Sequence, residues 1–324
     1  MELSNIKIEI PKLWEGDWEK SFEEADEIEC KILEIEQSAA DLLKDIKNNK
    51  ANPFRIGWFI HWTNQFCILE GIRSSLPRNS FFTLSIIERS IFESSWQLFT
   101  IISPLLDKNK SQINFPEEIL WSQIRDNMNA FLSYCIWNDI RSVKFKLNNK
   151  NLYKVWNPQP VKDLIKNDYS VKFYESLYGS LKIESDAELI SGKKKQRDSL
   201  NKVLTELSTW QNHPQIKYWI SVIVQKENLL ERPIGFFELF DESKTSIKKS
   251  LDENLSFAYS IYQDSSSLLH NSSLIQLTNI SDDCLFPKFY VTIEETEEQI
   301  LSMIGDCRRN LLFLTILKNK LWNT

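Results

Sequence analysis

Seven glycines in 324 residues leave this chain very few places to turn sharply. Average usage of about 7% would supply about 23. Sheet proteins, glycine-rich phosphate loops and dinucleotide folds all depend on glycine for tight backbone geometry. A chain this poor in glycine is expected to build long helices joined by other residues. Its ten prolines then act as punctuation. Asn52-Pro53, Pro116 with Glu117 and Glu118, and Pro214 fit helix starts, where a missing N–H costs nothing and acids suit the dipole. Pro77, Pro104 and Pro233 fit helix ends.

Periodicity fills in the elements. The segment 3–10 alternates and reads as a short strand or extended arm. A helix is expected over 18–48, with Ile28, Ile32, Ile35, Ala39, Leu42 and Ile46 spaced 4, 3, 4, 3, 4. That is a heptad-like seam, suited either to packing within a bundle or to a partner or second copy. Further helices are expected over 53–76, from 79 or 80 to Pro104, over 117–146, from Ser185 to Trp210, from Pro214 to Arg232, over 241–270 and over 293–321. A short strand is expected near 289–293. The fold class is therefore all-α, a multi-helix bundle. An N-terminal arm and acidic helix (1–50) precede a helical core (51–324). The polar stretch 148–160 is the expected seam if the core divides further.

Composition excludes several classes. None of the five cysteines forms a Cys-x-x-Cys pair, so neither a disulfide framework nor a cysteine-built zinc site is expected. Free thiols point to a reducing, cytoplasmic setting. No metal is expected, for there is no His-Glu-x-x-His and no close histidine–acid cluster. The phosphate-loop and dinucleotide fingerprints are missing too, so no cofactor is expected. The N-terminus lacks a signal-peptide pattern, and the longest apolar runs are far too short to span a bilayer, so no membrane role is expected. Net charge is −6 but uneven: 17–36 holds nine acids against two lysines, and 141–202 holds fourteen basic residues against seven acids. The basic region is the candidate electrostatic footprint for RNA.

Two stretches can carry chemistry. Residues 255–273, LSFAYSIYQDSSSLLHNSS, hold one formal charge, Asp264. At 100° per residue Tyr259, Tyr262, Ser266 and His270 share one helical face, and Phe257, Ile261 and Leu268 the opposite one. Such a helix is expected to be buried on both sides and to need polar partners. Its proposed counterpart is 86–98, where Arg89 and Glu93 lie one turn apart beside the apolar Phe82 and Trp96. An arginine buried there would need further acceptors. His270 titrates near neutrality when unperturbed, which suits a general acid or base, and also suits a cap on its own helix. Arg55 and His61, in RIGWFIH, form a third candidate pair.

Together, Arg89-Ser-Ile-Phe-Glu93 and Tyr262-Gln-Asp-Ser-Ser266-Ser-Leu-Leu-His270 resemble a family of uncharacterised bacterial all-helical proteins with an Arg-x-x-x-Glu helix early and a Tyr-x-x-x-Ser-x-x-x-His helix late. The resemblance covers about 53–318. In plan that family is similar to HEPN proteins, many of which are ribonucleases or derived modules in antiviral defence and toxin systems. Arg55-x5-His61 also fits the HEPN Arg-x4–6-His spacing, with Ile56 where a polar residue often follows. If the chain is an enzyme, metal-independent RNA cleavage is the expected class. His270 would be the acid or base, Arg89 would stabilise phosphate charge with Glu93 holding it, and Tyr262, Ser266 and Asn271 would contact substrate. The alternative is a non-catalytic helical scaffold or sensor module that binds a protein partner.

Overall fold

A computed structural model describes residues 7–8, 18–44, 52–76, 81–110, 116–148, 186–240, 278–281, 284–287 and 293–322. Among them are seven α-helices: α1 (Trp18–Lys44), α2 (Pro53–Ser75), α3 (Phe81–Lys110), α4 (Glu117–Asn148), α5 (Asp186–Gln211), α6 (Pro214–Leu230) and α7 (Ile293–Leu321). The all-α expectation holds. Three short strands, β1 (Lys7–Ile8), β2 (Thr278–Ser281) and β3 (Cys284–Pro287), form a patch in the order β1-β3-β2, with β1 parallel and β2 antiparallel to β3. The expected strand near 289–293, the loop 148–160 and the helix 241–270 lie outside the described residues.

The chain divides into two compact units, Met1–Phe131 with Ile234–Thr324, and Leu132–Pro233. In the first, α2 packs against α3 and α7, α1 against α2 and α7, and α3 against α7. Each helix brings a buried seam at heptad spacing. In α2 it is Phe54, Trp58, His61, Gln65, Ile68 and Ile72; in α3 it is Leu84, Ile87, Ile91, Ser94, Leu98 and Ile101. In α7 it is Ile300, Met303, Cys307, Asn310, Leu314 and Leu317. Ala25, Ile28, Ile32 and Ala39 of α1 are buried as well, while Ile35 and Leu42 of the predicted seam are half-buried and Ile46 lies outside the described residues. Polar ties cross the same interfaces. Trp58 Nε1 donates to the Leu314 carbonyl (2.8 Å), Trp62 Nε1 to the Ala39 carbonyl (3.1 Å), and Lys318 to the Leu42 carbonyl. Where α2 crosses α4, a Cβ on Gly57 would meet Met128 Sδ at 2.8 Å, so a larger residue there would have to displace the Met128 side chain.

Local signals set the starts of α2, α4 and α6. Asn52 Oδ1 accepts from Arg55 N (2.8 Å) and caps α2, with Pro53 in its first turn. One expectation fails. The helix predicted to stop before Pro104 runs on to Lys110 with the proline inside it. Proline has no N–H, so the Thr100 carbonyl loses its partner four residues on. The side-chain amide of Asn127 on α4 approaches that carbonyl at 3.5 Å and the neighbouring Ile101 carbonyl at 3.1 Å. A donor from another helix thus does what the local chain cannot.

In the second unit α5 and α6 form a hairpin, with Pro214 in the first turn of α6. Glu227 on α6 accepts from Trp137 Nε1 (2.9 Å) and pairs with Arg141 (2.5 Å), both on α4. Arg141 is therefore internally neutralised. Lys194, Lys195, Arg197 and Lys202 of the basic region lie exposed on α5. Glu231, at φ 53°, closes α6 in the left-handed region just before Arg232-Pro233.

Candidate functional site

Of the predicted site residues, Arg89 and Glu93 are described, and the structure brings them together. Arg89 Nε donates to Glu93 Oε1 at 3.1 Å within α3. Their side chains remain 24% and 46% exposed. The apolar setting expected for this pair is only partly met, for a geometric reason. Residues 89 and 93 each lie 200° from Ile91 along the helix, so both project away from the buried stripe that contains it. Glu93 meets solvent, and Arg89 is the more covered of the two. Tyr262, Ser266, His270 and Asn271 lie outside the described residues.

Arg55 and His61 diverge. Six helical residues turn through 600°, which sets the two side chains about 120° apart. Arg55 points to the end of α7, where Nε donates to the Trp322 carbonyl (3.1 Å) and the guanidinium lies 5.2 Å from the Trp322 ring centre. His61 points inward and stacks on Phe131 with centroids 4.1 Å apart. It is 1% exposed, and among the described residues its Nε2 has no hydrogen-bond partner. Burial drives its pKa down to about 3. The ring is neutral at physiological pH and does not exchange a proton there. A groove of about 520 Å³ runs beside it along Ile56, Ile60, Asn64 and Cys67 of α2.

The arrangement that the sequence did not announce is a polar layer at the centre of the bundle. Gln65 Nε2 donates to Ser94 Oγ at 2.6 Å. Asn310 Nδ2 donates to Gln65 Oε1 at 3.0 Å and to Ser95 Oγ at 2.9 Å. All four side chains are buried. Gln65, Ser94 and Asn310 occupy seam positions on three different helices, so this layer ties α2, α3 and α7 at one height. The signal was present: Asn310 interrupts the heptad run Met303, Cys307, Leu314, Leu317.

A second cluster joins α1 to α2. Arg73 lies among Glu29, Glu36 and Glu70, at 3.8, 3.8 and 2.5 Å. Glu36 is buried, and that burial raises its pKa against the pull of Arg73. Among the described residues no group of histidine, cysteine and acidic side chains could hold a metal ion. The half-buried Cys135 and the buried Cys307 are thiols pushed up to about 12 by desolvation, which makes them poor nucleophiles. Among the described residues no helix is long and apolar enough to cross a membrane.

Comparison of the chain with protein-family models, with curated proteins and with solved structures finds no match in any of the three.

Proposed function

We propose that this chain is a non-catalytic helical scaffold that binds a protein partner. The observation that carries this reading is the Gln65–Ser94–Ser95–Asn310 layer. Polar side chains at the heart of the bundle are turned toward one another. Buried layers of this kind fix which helix pairs with which and at what height. A body held in one register presents rigid surfaces, the property a scaffold needs. The neutral, enclosed His61 supports the same reading, since a histidine titrating near 3 makes a poor acid or base at neutral pH.

The test is incubation of the purified chain with single-stranded and hairpin RNA, without added metal. No cleavage is expected. Cleavage by the natural chain that disappears in His270→Ala would overturn the scaffold reading and return the ribonuclease assignment to Arg89 and His270.

A further inference from the structure

Gly305 sits in the middle of α7, exposed, with no described residue within 4 Å of the place its Cβ would occupy. Glycine inside a helix lowers its stability relative to alanine, and this chain otherwise uses glycine sparingly. Gly57 has a packing reason within the fold, namely Met128. Gly305 has no such internal reason. It does line a groove of about 770 Å³ between α1 and α7. Ile35 and Leu42 of α1 and Leu301, Ile304 and Leu312 of α7 supply apolar lining. Leu312 stands beside the groove 58% exposed.

The rim carries more basic than acidic side chains. Lys31, Arg308 and Arg309 line the groove against one acid, Glu34. Arg309 also pairs with Asp306 at 2.8 Å and lies 5.5 Å from the Phe99 ring centre. The basic excess at the rim therefore rests on Lys31 and Arg308, on a chain whose net charge is −6. From Leu301 to Thr315 the α7 wall extends about 21 Å at 1.5 Å per residue, the length of about four helical turns. A wall from each of two helices, apolar lining, a bare backbone position about one turn from one end and a basic excess at the rim together fit the helix-in-groove mode of recognition.

We infer that the α1–α7 groove, with Gly305 as its point of closest approach, docks an acidic amphipathic helix of a separate protein. This rests on the scaffold reading and names the surface through which the scaffold acts. Leucine-type side chains at i, i+3 or i+4, and i+7 of the partner would enter beside Leu301 and Leu312. Its flanking carboxylates would meet Lys31 and Arg308.

The experiment uses the full chain and two labelled synthetic helices of about 18 residues, followed by fluorescence anisotropy. Both carry the same leucine stripe; one has glutamates on its flanks and the other lysines. The glutamate peptide is expected to saturate, and to bind at least tenfold more tightly than the lysine peptide at low salt. Lys31→Glu with Arg308→Glu should reverse that preference. Gly305→Leu should abolish binding while its thermal midpoint stays at or above that of the natural chain, because the position is open and leucine is the better helix former. Equal binding of the two peptides, no binding up to about 1 mM, or unchanged affinity in Gly305→Leu would each overturn the inference. A dimer in light scattering that Gly305→Leu dissolves would overturn it in favour of a second copy. RNA cleavage lost in His270→Ala, alongside intact peptide binding, would remove the scaffold reading and leave the groove.

Discussion

Asn310 on α7 donates its side-chain amide to Gln65 Oε1 on α2 at 3.0 Å, in the middle of two largely apolar seams. Replacing Asn310 with leucine strips Gln65 and Ser95 of a donor while they stay buried. The expected cost is about 1–3 kcal/mol in urea unfolding, the penalty for orphaning buried polar groups. Gln65→Leu alone should cost a similar amount. The double variant should cost less than the sum, because no half of the pair is left behind. Additive effects would show that the two side chains act separately.

Asn127 and Pro104 form the second testable pair. Asn127→Ala should destabilise the chain by about 1 kcal/mol, since the carbonyls near Pro104 lose their borrowed donor. In a Pro104→Ala background residue 104 regains its own N–H for Thr100, so the same change should cost distinctly less. A double-mutant cycle measures the difference. Equal costs in both backgrounds would sink this account of how α3 passes its proline.

These two pairs mark the line between what was legible in the sequence and what was not. The starts of α2, α4 and α6 were readable because capping and proline placement are local. Asn52 needs only Arg55 N, three residues away. The continuation past Pro104 was not readable, because its remedy comes from a residue on another helix. The α1 seam was visible as spacing, but whether it faces α2 and α7 or a second molecule depends on tertiary packing. His61 drew notice for its distance from Arg55, whereas its actual setting is fixed by Phe131 on another helix. Arg89 and Glu93 could be paired from their i, i+4 spacing; their exposure depended on where the stripe containing Ile91 fell.

Acid stability should report on His61. Its folded pKa of about 3 lies below the ordinary value of 6.5, so the unfolded chain takes up a proton that the folded chain refuses. The stability this group supports is complete above about pH 6.5 and is lost as pH falls toward 3. The full effect is on the order of a few kcal/mol. His61→Leu removes the titration, so its unfolding free energy should fall less between pH 7 and pH 4 than that of the natural chain. Identical pH profiles would show that another group governs the acid limb.

Glu36 works in the opposite sense. Its folded pKa is raised by burial, so the folded chain holds a proton that the unfolded chain has released. Stability from this group is present below the ordinary carboxylate value and is lost as pH rises through the higher folded one. Glu36→Gln should flatten the decline in unfolding midpoint above about pH 4.5, the ordinary value. A decline as steep as in the natural chain would place its cause elsewhere.

Gly57 is expected to tolerate nothing larger. Alanine there brings a Cβ within 2.8 Å of Met128 Sδ and 2.9 Å of its Cγ, inside a fully buried contact. The net change should be a loss of about 1–3 kcal/mol, despite the better helix propensity of alanine. Thermal unfolding of Gly57→Ala checks it, and a raised midpoint would mean that α2 and α4 have room to separate.

The polar layer also limits how such a chain can change in length. An extra residue in α2 ahead of Gln65 would turn everything beyond it by about 100° and carry the amide out of reach of Ser94 and Asn310. Seven residues come back almost to the same face, with a drift of only about 20°. Insertions and deletions in any descendant of this sequence should therefore fall in the connections between α1, α2, α3 and α7, or enter these helices in sevens. The layer acts as a ruler against which the lengths of three helices are kept.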